Sequence, residues 1–241
     1  MLRTFIWLLF ATVALIIMLP IGLVIRLFQI IGGKKYDGPN RAAAWICNNI
    51  VPWYTRLAGC DYEIIGSENI PKEPALFVGN HQGVLDVIMI LFALGGPKII
   101  MAKKEAKNVP IAHLWMTLLR CIFIDRKNMR NALKCIEEAE DQLSHGQSVL
   151  IFPEGTRSRG PEMNPFKHGA FKAAIKTGSK IVPFVIDGTY KIFEEHKRLI
   201  KSKVKFSILK PVVALEGETS AQLSKRVQDL IAEELVRLRN E

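Results

Sequence analysis

The chain opens on an apolar block and then turns to alternation. Residues 5–25 are almost wholly apolar, with Thr12 the only clearly polar side chain. About 20 such residues suffice to cross the hydrocarbon core of a bilayer as a helix. Only Arg3 precedes the block, whereas Arg26, Lys34, Lys35 and Arg41 follow it, a bias that assigns the downstream chain to the cytoplasm. The block is too long for a cleavable signal peptide, and no small-x-small site follows it promptly. Pro20 and Gly22 permit a kink, so a spanning, a re-entrant and an in-plane anchor all fit. Residues 41–58 form a weaker apolar stretch, interrupted by Asn48, Asn49 and Pro52 and carrying the interface-seeking Trp45, Trp53 and Tyr54. It reads as a helix on the membrane or against the first one, and equally as a core helix.

From Asp61 onward, short β-rich runs alternate with helical patterns. Strands are predicted at 62–65, 75–78, 98–101, 121–124, 149–152, 181–186 and 204–209, and helices at 85–94, 111–118, 130–144, 169–177 and 221–239. Ala132, Leu133, Ile136, Ala139 and Leu143 form a helical stripe that Gly146 ends. Pro183 inside an apolar run predicts an edge strand or a bulge. The alternation predicts an α/β fold with a mixed, largely parallel sheet flanked by helices. The organisation expected is a membrane-anchoring helical region over 1–60 and an α/β domain over 61–241.

Chemistry-bearing residues gather where strands end. Asn80-His81-Gln82-Gly83-Val84-Leu85-Asp86 joins a predicted strand to a predicted helix. On one continuous helix, His81 and Asp86 would stand about 140° apart and could not meet. They meet only if His81 precedes the helix and Asp86 lies in its first turns, with Gly83 permitting the bend. Asp86 would then orient the imidazole as a base. Taken alone, the pair reads more readily as a structural histidine beside a capping carboxylate.

A second strand end, 121–126, finishes in Asp125-Arg126, and a third runs into Pro153-Glu154-Gly155-Thr156-Arg157-Ser158-Arg159. Guanidinium forks bind phosphate bidentately. Lys167, near a helix start, could serve an anion too. Solvated turns and surface ion pairs are the plain alternatives.

Charge narrows the partners. Lys and Arg total 33 against 23 Asp and Glu, a net charge of +10, which favours a phospholipid surface, a phosphorylated substrate or nucleic acid. No nucleic-acid recognition motif stands out. Cys47, Cys60, Cys121 and Cys135 form no Cys-x-x-Cys pair and fit a reducing compartment better than a disulfide framework or a zinc site. No Gly-x-Ser-x-Gly elbow is present, so a serine nucleophile of that kind is not expected.

Together the blocks resemble the glycerolipid acyltransferase family, most closely the 1-acyl-sn-glycerol-3-phosphate acyltransferases. His81-x4-Asp86 looks like that family's catalytic block, and Phe123-Ile124-Asp125-Arg126 like its second block. Phe152 to Ser158 is similar to its glycerophosphate-binding block, and Val182-Pro183 resembles the fourth. Gly83 departs from a serine common there.

The resemblance implies a glycerol-3-phosphate acyltransferase-like fold and acylation of the sn-2 hydroxyl of lysophosphatidic acid in phospholipid biosynthesis. It implies catalysis by His81 and Asp86, and substrate binding by Arg126, Glu154, Gly155, Thr156 and Arg157, to which the helix-start position adds Lys167. No metal and no cofactor are expected; acyl-CoA or acyl carrier protein serves as co-substrate. Backbone N–H groups at the Gly83 turn are the expected oxyanion donors. The protein should sit on a membrane, a bacterial inner membrane, with its catalytic domain on the cytoplasmic face. Other acceptors, such as glycerol 3-phosphate or another lysophospholipid, and a non-catalytic basic lipid-binding module, are the rival readings.

Overall fold

The computed structural model describes residues 2–32, 41–125 and 128–240. Among these, seven strands form one sheet: β1 (Cys60–Ile65), β2 (Ala75–Gly79), β3 (Ile99–Lys103), β4 (Ile122–Ile124), β5 (Val149–Ile151), β6 (Lys180–Asp187) and β7 (Ser202–Ile208). Their order is β1-β7-β6-β2-β5-β3-β4. Neighbours run parallel except β6 and β7, so the sheet is mixed and largely parallel, as the alternation predicts.

The helices are α1 (Leu2–Gly32), α2 (Arg41–Asn49), α3 (Val51–Ala58), α4 (Val84–Ala93), α5 (Pro110–Leu118), α6 (Met129–Ser144), α7 (Lys172–Thr177), α8 (Thr189–Ile192) and α9 (Ser220–Asn240). Every predicted strand and helix forms within a few residues of its expected bounds. The stretch 169–177 divides into a 3-10 turn and α7.

The continuous apolar run of β2 is explained by cover on both faces. Leu76 and Val78 point into a core with residues of α6, α7 and α9. Ala75 and Phe77 point into a second core with Leu85, Met89 and Ile90 of α4 and Ala58 of α3. The sheet is thus the middle of three layers, and β2 lies at its centre.

At Pro183 one of the two expected features is realised. β6 is not an edge strand: it lies between β2 and β7. The expected bulge is present instead. Three steps from Ile181 to Phe184 are matched by four from Ile208 to Val212. The carbonyl of Pro183 still accepts the N–H of Leu209, and the missing proline donor falls on the side where the ladder is already irregular.

The N-terminal helices are not a separate body. Thr55 and Ala58 of α3 are fully buried, whereas Trp45 and Trp53 are exposed. The residues 41–58 therefore combine the two readings: one face is core and the other carries exposed tryptophans. Trp7 of α1 stacks on Tyr54 with ring centroids 4.8 Å apart, and the N–H of Leu199 donates to Thr4 Oγ1. Further along α1, Gly22 meets Leu114 of α5 so closely that a Cβ would lie 3.1 Å from its Cδ2. The opposite face of α1 exposes Phe5, Leu9, Ile16, Ile17, Leu27, Phe28 and Ile31.

Candidate active site

The turn that carries the imidazole is built from both ends. β2 closes on Gly79, where a Cβ would sit 2.2 Å from the Phe184 ring, so no larger residue fits. Asn80 then locks to β6 in both directions: its Nδ2 donates to the Ile186 carbonyl and its Oδ1 accepts the Ile186 N–H, each at 2.8 Å. Gln82 does the same one step later, accepting the Gly188 N–H and donating to Asp187 Oδ1. Both amides are buried, and each is satisfied by the far strand.

Helix α4 begins at Val84 after the N-cap Gly83, which makes Asp86 its third residue. From there the carboxylate folds back over the helix start. Its Oδ2 accepts the N–H of Gln82 at 2.6 Å, the N–H of Gly83 at 2.8 Å, and lies 2.7 Å from His81 Nδ1. Its Oδ1 accepts the Thr189 hydroxyl. Asp86 is wholly buried and acceptor on every side. Nδ1 of His81 therefore carries the proton, and Nε2 is left with its lone pair. The imidazole ring stacks on Phe152, with centroids 4.2 Å apart. His81 thus precedes the helix, Asp86 lies in its first turn, and the two touch, as the five-residue spacing required.

The expected oxyanion donors are not free. The N–H of Gly83 and that of Gln82 are taken by Asp86, that of His81 by Glu154 Oε1 at 2.6 Å, and that of Val84 by Glu194 Oε1 at 2.7 Å. Carboxylates that organise the turn have consumed its donors.

The loop after β5 closes over the same turn. The N–H groups of Ser158 and Arg159 donate to the carbonyls of His81 and Gln82. Glu154 lies beneath, buried, with Oε1 on the His81 N–H and Oε2 on both the main chain and the side chain of Asn164. Burial pushes its carboxyl up from the usual carboxylate range, while these hydrogen bonds hold it down. With both oxygens engaged, Glu154 braces the His81 main chain against Asn164.

Gly155 turns at φ +73, and a Cβ there would meet Lys167 Nζ at 3.0 Å. Thr156 is exposed on the loop, and Arg157 is partly exposed with its Nη1 on Glu194 Oε1 at 2.9 Å. Gly155, Arg157 and Lys167 thus gather around the His81 loop. Arg126 lies outside the described residues. Its neighbour Asp125 receives Lys104 at 3.2 Å and donates its N–H to Asn131.

Beside Phe152 opens a cavity of about 600 Å³. Met101, Ile124, Leu133, Ile136 and Phe166 make it apolar, and Lys167, His168 and Lys172 border it. Phe152 faces both this cavity and the imidazole.

Thr189, Asn164 and Glu194 complete the site, and sequence reasoning missed all three. Glu194 reaches Val84 from 110 positions along the chain. No local spacing signals such a contact.

Known proteins carry the same plan. The acyltransferase family model matches residues 61–187. The 1-acyl-sn-glycerol-3-phosphate acyltransferase of Borreliella burgdorferi is 34% identical over 61% of this chain and 58% of its own length. The probable 1-acyl-sn-glycerol-3-phosphate acyltransferase of Mycoplasma pneumoniae is 30% identical over 79% of this chain and 75% of its own length. The crystal structure of the 1-acyl-sn-glycerophosphate (LPA) acyltransferase PlsC from Thermotoga maritima superposes with a TM-score of 0.80 at 26% identity, covering 100% of this chain and 96% of that one. With a histidine–aspartate pair at the head of α4 and the family pattern running through β1 to β6, this chain belongs to the acyltransferase family.

Proposed function

We propose that this protein transfers an acyl group from an acyl thioester, acyl-CoA or acyl carrier protein, to the sn-2 hydroxyl of 1-acyl-sn-glycerol 3-phosphate, giving phosphatidic acid. The observation that carries the reading is the His81–Asp86 pair, oriented to leave Nε2 as a base, beside the cations Arg157 and Lys167. The names borne by the relatives in Borreliella burgdorferi and Mycoplasma pneumoniae support the same acceptor.

The chemistry balances without a covalent enzyme intermediate. Nε2 of His81 takes the hydroxyl proton as the oxygen attacks the thioester carbonyl. Asp86 stabilises the imidazolium that forms. As the tetrahedral intermediate collapses, the carbon–sulfur bond breaks, the new ester bond is retained, and the imidazolium returns its proton to the departing thiolate. Arg157 and Lys167 hold the phosphate so that the hydroxyl meets Nε2. Arg126 is assigned to the same phosphate on the family resemblance, and Thr156 and Gly155 to the loop that admits it. An apolar cavity next to the imidazole suits a lipid acyl chain.

Contacts along α1 support an in-plane anchor. Helix α1 touches the rest of the chain at Thr4, Trp7 and Gly22, and Ile25 packs with Ala43, Cys47 and Leu118. Thr4 to Ile25 spans about 30 Å at 1.5 Å per residue, the full thickness of a hydrocarbon core. A helix crossing that core upright would carry the α/β domain into it. These contacts support a reading in which helix α1 lies in the plane of the cytoplasmic leaflet of a bacterial inner membrane, its exposed apolar face in lipid and its other face on the domain.

The test is thiol release by purified protein from acyl-CoA and acyl carrier protein, with lysophosphatidate, glycerol 3-phosphate or other lysophospholipids as acceptor. Release that depends on lysophosphatidate and yields phosphatidate is expected. Release only with another acceptor would reassign the substrate, and no release with any acceptor would leave a lipid-binding module.

A further inference from the structure

Glu194 is the one buried carboxylate at the site whose hydrogen bonding is incomplete among the described residues. It is 6% exposed, and its Oε2 is buried with no partner. A buried carboxylate costs free energy unless it is fully paired, so such a group is poorly explained by stability. What it does is geometric. Its Oε1 accepts both the N–H of Val84, the first residue of α4, and Nη1 of Arg157. Its Oε2 lies over Gly83, where a Cβ would stand only 2.9 Å away. The missing side chain at position 83 leaves the space that Glu194 fills.

We propose that Glu194 is a positioning residue for acceptor binding. It grips the Arg157 guanidinium by one nitrogen and leaves the other N–H edge open to a phosphate monoester. By the same oxygen it ties that guanidinium to the first turn of α4, the turn that holds Asp86 against His81. The phosphate handle and the base are thereby set in one frame. This inference rests on the acceptor reading above and goes beyond it, in naming the group that orients Arg157.

The test is steady-state kinetics with lysophosphatidate and acyl donor varied separately, on wild type, Glu194→Gln, Glu194→Ala, Arg157→Ala and the Glu194→Ala/Arg157→Ala double variant, with thermal midpoints measured alongside. Loss of a charge-assisted hydrogen bond predicts an acceptor KM raised about tenfold in Glu194→Ala, with donor KM unchanged. Glu194→Gln keeps an acceptor oxygen and removes the buried charge. It should raise acceptor KM less, with a midpoint unchanged or higher, an outcome a merely structural residue would not give. The double variant should be no worse than Arg157→Ala. An unchanged acceptor KM in both Glu194 variants, with Arg157→Ala impaired, would overturn the inference alone. An unaffected Arg157→Ala would overturn the phosphate handle and the inference with it. If Glu194→Ala does not fold, Glu194→Gln decides: a lowered midpoint with acceptor KM unchanged counts against the proposal.

Discussion

Nδ1 of His81 lies 2.7 Å from Oδ2 of Asp86, and that same oxygen accepts the main-chain N–H groups of Gln82 and Gly83. One oxygen therefore closes the helix start and orients the imidazole. The carboxylate that caps the helix and the one that orients the histidine, rival readings of the sequence, are the same group.

Removing the base separates chemistry from architecture. His81→Ala should lower turnover by about 10²- to 10⁴-fold while vesicle binding and the thermal midpoint hold. Asp86→Asn turns an amide N–H₂ toward three N–H donors or the Thr189 hydroxyl, so it should cost activity and stability together. Near-wild-type turnover in the His81 variant would remove His81 from the reaction.

Gly83→Ser is expected to be tolerated. The position is the N-cap of α4, where serine is favoured over glycine by a few tenths of a kcal/mol. The Cβ would press on the flexible end of Glu194, and the hydroxyl could give Oε2 the donor it lacks. The thermal midpoint should rise slightly, with kcat/KM within about twofold of wild type. A fall in midpoint would show that Glu194 cannot yield.

Lys98 predicts a pH dependence of stability. Burial pushes its ammonium down to about 8, and it lies 5.1 Å from the Phe77 ring centroid with one hydrogen bond to the Gly96 carbonyl. Below pH 8 both folded and unfolded chains carry the proton, and the fold bears the whole cost. As pH rises from 8 toward 10.5, the folded group is neutral first and the cost fades. Lys98→Met should therefore raise the free energy of unfolding at pH 7, by no more than about 3 kcal/mol, and the gain over wild type should vanish near pH 10.5. A gain independent of pH would mean that packing, not charge, is responsible.

Deleting residues 1–32 should release the protein from anionic vesicles at high salt, which screens the contribution of about 1 kcal/mol from each surface Lys or Arg. It should also lower the thermal midpoint, because Trp7 and Ile25 pack into the cores. Release with an unchanged midpoint would contradict the in-plane arrangement, since a helix standing free of the domain could be lost without consequence.

The strands were legible because runs such as Ala75 to Val78 are apolar on both faces, and the His81–Asp86 geometry because both residues lie within one turn. Pro183 leaves an edge strand and a bulge open: proline marks a broken ladder, and in β6 the break is a bulge facing β7. Thr189, Asn164 and Glu194 were illegible because their partners are fixed by topology, not by spacing. The engagement of the donors at the Gly83 turn is illegible for the same reason, since Glu154 arrives from the loop after β5 and Glu194 from the segment after α8.

The reach of Asn80 to Ile186, across 106 positions, sets when the site can exist. Contacts of such separation carry a high loop-closure cost and form late. During synthesis the His81 turn emerges long before Ile186, Gly188, Thr189 and Glu194, and until they arrive Asn80, Gln82 and Asp86 lack the partners that hold them. A nascent or truncated chain ending before β6 would have its histidine and aspartate but no working arrangement of them. An ordered histidine–aspartate pair is thereby confined to chains that extend through Glu194.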